Sequence, residues 1–161
     1  RFYCFRDYLK NREYDWVFHA DVSDVVVVQD PSKLLSDYGE YGFYACEDNF
    51  PIQSDSFNYI GIHKELKWDN EFLFIANARE WRLINMGVVG GSGENMRDFY
   101  DSFCEIRNKT GLPQENINMY LCQYLLRAIF RGKKKTLIGE PVTSKYKAYE
   151  NNRKDVYFIH K

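Results

Sequence analysis

Four valines in succession, residues 25–28, close the stretch HADVSDVVVV at residues 19–28. A run of β-branched residues favours extended backbone, and without alternation it asks for burial on both faces. That is typical of a sheet covered by helices, and with strands alternating with helices along the chain it predicts an α/β layer fold with a mainly parallel central sheet flanked by helices. The flanking pattern agrees. Phe2, Phe5, Tyr8 and Leu9 recur at helical intervals, residues 14–20 (YDWVFHA) read as a strand, and Asp30, Pro31 and Ser32 open a short helix. Residues 41–46 (YGFYAC), 72–76, 83–89 and 156–159 (VYFI) read as further strands, with a short one at 136–138. Met96, Phe99, Tyr100, Phe103 and Ile106 mark one face of a helix over 94–107, and a second strong helix is predicted over 115–130. Residues 49–70 carry no clear period and read as a long functional loop or an irregular subdomain. Gly111 to Pro113 reads as a turn.

A chain of 161 residues is expected to form one domain, with enough sequence for its own core. The net charge of −1, spread without long runs, excludes a basic nucleic-acid footprint. The cluster from Arg131 to Lys135 reads as a solvated turn after a helix, or as a phosphate or partner contact. No apolar run reaches membrane-spanning length. The chain opens at Arg1 directly in a helix, so it is expected to be N-terminally incomplete. Cys4, Cys46, Cys104 and Cys122 form no CxxC pair and read as two disulfides or as buried thiols. Asn108 to Thr110 forms a glycosylation sequon.

The chemistry concentrates where strands end. Asp21 and Asp24 sit three apart on the turn that precedes the valines. Carboxylates suit hard cations such as Mg²⁺ or Mn²⁺, which keep positions for substrate phosphates; the alternative is a pair of turn acids capping local amides. His160 ends the last predicted strand and can complete an Asp/Asp set for Mn²⁺, with Lys161 meeting a diphosphate as a point charge. His19 and His63 read as core or surface residues. Glu47 and Asp48 end another strand, where either can deprotonate or orient a hydroxyl, or act as a turn acid. The glycines of INMGVVGGSGEN at 84–95 allow close backbone approach to a phosphate or sugar, although they match neither GxGxxG nor a P-loop.

The order of these parts, from YDWVFHADVSDVVVVQDP through INMGVVGG and NMYLCQYLL to VYFIHK, resembles the GT-A glycosyltransferases over nearly the whole chain. The acid motif has the D-x-x-D form, Asp21 to Asp24, and is similar to that of the collagen hydroxylysine glycosyltransferases and related eukaryotic and viral enzymes. The resemblance implies a metal-dependent enzyme that moves a sugar from a nucleoside diphosphate sugar to a glycan, protein or lipid hydroxyl. It implies metal ligands at Asp21, Asp24 and His160, with Mn²⁺ or Mg²⁺ as the cofactor. Donor or acceptor contacts are implied at Asp21, Asn85, Gly87 and Lys161, and a catalytic role at Glu47 or Asp48. At the start of the later helix, where related enzymes carry an acid, this chain has Asn118 before Met119, with Glu115 nearby; Asn118 joins the expected donor or acceptor contacts. The nucleotide-binding first unit would precede residue 1, and an upstream anchor would place the protein in the Golgi or ER lumen, the cytoplasm being the alternative. Two other readings stay open. One is a catalytically silent GT-A-like domain that binds a sugar or a protein; the other is a metal-dependent nucleotidyltransferase.

Overall fold

In a computed structural model the residues described are 1–51, 82–110, 117–130, 134–146, 148 and 152–161, excluding the side chains of 49–51, 110, 117–120, 128 and 129. The readings for His63, the strand at 72–76, most of the loop at 49–70, the turn at 111–113, Glu115, and Arg131 to Lys133 fall outside the described residues.

Helix α1 (Phe2–Leu9) leads into strand β1 (Trp16–Ala20), strand β2 (Val25–Val27) and helix α2 (Lys33–Tyr38). Strands β3 (Tyr41–Pro51) and β4 (Arg82–Ser92) follow, then helix α3 (Gly93–Thr110) and helix α4 (Ile117–Tyr124). A π-helical turn at Leu125–Ile129 extends α4, and strands β5 (Lys135–Ile138) and β6 (Phe158–His160) end the described chain. The central sheet has the order β1-β4-β3-β5, while β2 and β6 pair apart from it.

The α/β layering is as the sequence indicates: a central sheet flanked by helices. The strand directions differ from the mainly parallel expectation. Among the described strands of the central sheet, β1–β4 and β4–β3 are antiparallel, and only β3–β5 is parallel. Alternating strand and helix patterns do not distinguish a crossover from an antiparallel return, so direction was not encoded in them.

The valine run also sits elsewhere than predicted. Strand β2 pairs with β6 alone, over Val25 to Val27, and leaves Val26 at 43% and Val27 at 58% exposure. Among the described strands, those buried on both faces are β3 and, between β1 and β3, β4. The glycines of β4 are not breaks in the strand. Gly90 lies opposite Phe18, whose ring occupies the space a Cβ would take, 2.2 Å from that position.

The two faces of the sheet are read off β3 by its period of two. Phe43 and Ala45 join the helical layer with Phe99, Phe103 and Leu125. Tyr44 and Cys46 face the other way, with Leu34, Val142 and Phe158. Helix α1 closes the first layer as its period predicts, with Phe2 stacked on Phe103 at 4.1 Å. Tyr8 does not join that face: it is exposed and hydrogen-bonds Tyr14 at 3.0 Å. On the second layer, the Tyr44 hydroxyl donates to the Tyr38 carbonyl at 2.9 Å, satisfying an orphan acceptor at the end of α2.

All four cysteines are free thiols, three of them buried and Cys4 exposed. The sequon asparagine lies within α3, where Asn108 accepts a 2.6 Å hydrogen bond from Tyr3. Among the described residues, no helix is long and apolar enough to cross a membrane.

Candidate functional site

The turn carrying Asp21 and Asp24 ties the two sheets together. The Asp21 amide donates to the Gly87 carbonyl at 2.8 Å, prolonging the β1–β4 ladder by one residue. Asp24 does the same for the small sheet: its carbonyl accepts from the Lys161 amide at 2.8 Å, beside the Val25–His160 pair. Two acids three apart therefore span the junction of two sheets, and the end of the chain is delivered to the same place.

A bulge shapes the floor. Between the pairs Ala45–Val89 and Cys46–Asn85, β3 advances one residue while β4 advances four. Bulges of this kind re-aim side chains beside functional sites. Here the bulge contains Gly87, whose amide donates to Asn85 Oδ1 at 2.8 Å. The Asn85 amide in turn donates to Asp48 Oδ2 at 3.2 Å. The imidazole of His160 lies so close over Gly87 that a Cβ there would fall 2.1 Å from its Cε1.

His160 is 2% exposed. Its amide donates to Ser144 Oγ at 3.0 Å, and its Nδ1 lies 3.0 Å from Cys46 Sγ. Its Nε2 faces Asp24 Oδ2 at 3.6 Å, too far for a hydrogen bond. Burial pushes the imidazole below its ordinary value, while Asp24, Asp21 and Asp48 pull it back up. A ring held below 6.5 is mostly neutral at pH 7, the form that ligates metals. The Tyr146 ring centroid lies 4.4 Å from that of His160.

The carboxylates divide. Asp24 Oδ1 is buried without a hydrogen-bond partner. Asp21 Oδ1 accepts from Arg1 at 2.7 Å and lies 3.7 Å from His19 Nε2. Burial pushes His19 down to about 4, Arg1 adds to that and Asp21 opposes it, so His19 is neutral at pH 7 and makes no ion pair. Asp48, 3% exposed, contributes its charge to the His160 side. Glu47 joins a different cluster. It lies 3.2 Å from Arg82 Nε, and burial raises it while Arg82, Lys145 and Arg127 pull it down. Lys161 is exposed at the chain end. The backbone of Asn118 lies in α4, and its side chain is outside the described residues.

Asp24 and His160 are residues that could hold a divalent cation. A buried carboxylate oxygen without a partner is costly to leave bare. Donors about 2.1 Å from one ion stand roughly 3.0–3.6 Å apart when adjacent in its shell, and Asp24 and His160 have that separation. Asp21 is a different matter. Among the described residues no three or more His, Cys, Asp or Glu side chains are grouped closely enough to hold an ion. Asp21 Oδ1 is held by Arg1.

Cys46, Ser144, Tyr146 and Arg1 were missed from sequence. Cys46 carried a faint signal, two residues before Asp48 on a strand and so on the same face; the others carried none.

No protein-family model matches the chain, and no curated protein matches its sequence. Its fold does have solved counterparts. One is a glycosyltransferase involved in the glycosylation of the major capsid of PBCV-1, with a TM-score of 0.51 and 16% identity over 99% of this chain. Another is an active-site mutant of LgtC, with a TM-score of 0.49 and 13% identity over 92% of this chain. The chain spans 66% of the first structure's length and 53% of the second's. The first likeness establishes a glycosyltransferase fold.

Proposed function

We propose that this chain carries the metal-binding part of a GT-A glycosyltransferase, of the D-x-x-D type found in collagen hydroxylysine glycosyltransferases, that moves a sugar from a nucleoside diphosphate donor to a hydroxyl acceptor. The observation that carries the reading is the meeting of Asp24 and His160, 136 residues apart, with Asp24 Oδ2 facing the imidazole Nε2 and the other oxygen of that carboxylate, Oδ1, buried without a hydrogen-bond partner. In a glycosyltransferase fold such a pair is best used to receive a donor's charged end.

In this reading Asp24 and His160 hold Mn²⁺ or Mg²⁺, with Asp21 as a third ligand once released from Arg1. When bound, such a cation supplies Lewis-acid stabilisation of the negative charge that develops on a nucleoside diphosphate leaving group. Lys161 adds a mobile positive charge for the same diphosphate. Asn85 and Gly87 form the rigid floor for the sugar, because the Asn85 amide is fixed at both ends by Gly87 and Asp48. Of the two candidate catalytic carboxylates we favour Asp48, whose charge acts on His160, whereas Glu47 belongs to the Arg82 cluster. Asp48 would accept a proton from the acceptor hydroxyl, or orient it.

The test is donor hydrolysis and transfer over a panel of nucleotide sugars, with and without Mn²⁺. Metal-stimulated turnover that falls at least 100-fold in Asp24→Asn and in His160→Ala is expected. A second reading is favoured by the Arg1–Asp21 pair and the absence of a three-ligand group among the described residues. It is a catalytically silent domain that retains the fold and binds a sugar or protein, and it predicts no metal-stimulated turnover with any donor.

A further inference from the structure

Beneath the site lies a contact that sugar transfer does not itself demand. Cys46 Sγ is 3.0 Å from His160 Nδ1, and both groups are buried. The same sulfur is 3.5 Å from the Glu47 carbonyl oxygen. Across the ring, Nε2 faces Asp24. The order Cys–His–Asp suggests a thiol nucleophile, but the surroundings oppose it. Burial pushes the Cys46 thiol up to about 12, the reverse of what an attacking thiolate requires. The thiol keeps its proton, and the polar groups beside it are the imidazole, the Glu47 carbonyl and the Thr143 hydroxyl.

We propose that Cys46 is a positioning residue for His160: its thiol hydrogen-bonds Nδ1 and so aims Nε2 at Asp24 and at a cation held there. A thiol can both donate and accept, which suits it to either tautomer of the ring. With only the Asp24 carboxylate in front of Nε2, the ring proton sits on Nε2 and the thiol donates to Nδ1. With a cation on Nε2, the ring proton sits on Nδ1 and donates to sulfur, while the S–H turns to the Glu47 carbonyl. Each state holds one ring proton and one thiol proton, so the exchange balances. Gly87 on one face of the ring leaves no room for it to tilt that way, and the Ser144 bond fixes the backbone that carries it. Partners of this kind on the remote nitrogen of a ligating imidazole are worth roughly 10–100-fold in metal affinity.

The inference deepens the proposed function and rests on His160 as a ligand, so the experiment separates the two. Nitrogen-15 imidazole spectra of the whole chain, taken without cation, should show Nδ1 as a hydrogen-bonded acceptor in the wild type and in Cys46→Ser. In Cys46→Ala, Nδ1 should move to the position of an unbonded nitrogen, with the backbone spectrum certifying that each variant is folded. An unmoved Nδ1 resonance in folded Cys46→Ala overturns the proposal. Added Mg²⁺ should shift the wild-type ring to the Nδ1–H tautomer and bind roughly 10–100-fold more weakly to Cys46→Ala. Equal Mg²⁺ affinities in the two proteins also overturn it. Should Mg²⁺ fail to bind the wild type while Nδ1 still depends on Cys46, the thiol's role is supported and the metal reading of the site falls.

Discussion

At the residue scale the site depends on what is small and what is neutral. Gly87 is small because the His160 ring occupies the place of a side chain, and the ring, held by Cys46 on a backbone that Ser144 fixes, cannot yield. Gly87→Ala is therefore expected to cost about 1–3 kcal/mol in urea denaturation, the range for overpacking a rigid contact. It should also displace the imidazole signal of His160; an unchanged midpoint and an unchanged spectrum would refute that packing. His19 shows the cost of keeping a buried imidazole neutral. The unfolded chain takes up a proton below about pH 6.5, whereas the folded chain resists until about 4. Protonation thus favours the unfolded state, so stability is full above about 6.5 and falls as the pH drops through that window. The loss should reach roughly 3 kcal/mol by pH 4 from this group alone, with His160 adding in the same direction. Urea midpoints at pH 7.5, 5.5 and 4.5 measure it, and His19→Phe should flatten the slope. A slope identical in the variant would remove His19 as its source.

At the element scale, legibility followed periodicity. Helices α1 and α3 were readable because their apolar residues recur at helical spacing, and that spacing is what the core sees. The valines of β2 were misread because β-branched composition reports extended backbone without saying how many neighbours the strand will have. Here it has one, and two valines face water. Strand β4 was cut short at Gly90 because glycine reads as a breaker, whereas its missing side chain is filled by Phe18 from the next strand. In the site, Asp21, Asp24 and His160 were legible as strand-end residues with chemistry of their own, whereas Glu47 and Asp48, read as ending a strand, lie inside β3, which runs on to Pro51. The Cys46–His160 contact was not, since only the packing of β6 against the face of β3 brings those residues together. The β4 bulge has a support that no pattern announces. The Gln123 side chain accepts from the Ile84 amide at 3.0 Å and donates to its carbonyl at 2.6 Å, standing in for a strand neighbour. Gln123→Leu keeps the bulk and strands both groups, so a loss of roughly 1–3 kcal/mol per group is expected in chemical denaturation. A neutral result would mean that the bulge is held elsewhere.

At the scale of the whole molecule, the cysteines report whether its two layers open together. Cys104 and Cys122 lie in the helical layer, and Cys46 lies on the opposite face of the sheet, against β6. All three are buried thiols, while Cys4 is exposed. Under native conditions a thiol-specific disulfide reagent should therefore react at once with one cysteine per chain and very slowly with three. Burial raises all three of those thiols, so access and thiolate formation limit them together. In rising urea the comparison becomes diagnostic. If the central sheet couples both layers into one cooperative unit, the three slow thiols share one opening free energy, and their protection should fall in parallel. The contacts favour this outcome, because β4 and β3 are buried on both faces and contribute side chains to both cores. The small β2–β6 sheet is the weakest point of that coupling: it has three paired positions and an exposed outer strand. Earlier reaction of Cys46 than of Cys104 and Cys122 in mass-spectrometric labelling would show that this ribbon lifts off alone. The site would then lose Asp24, His160 and the Cys46 contact in one step while the helical layer remained folded.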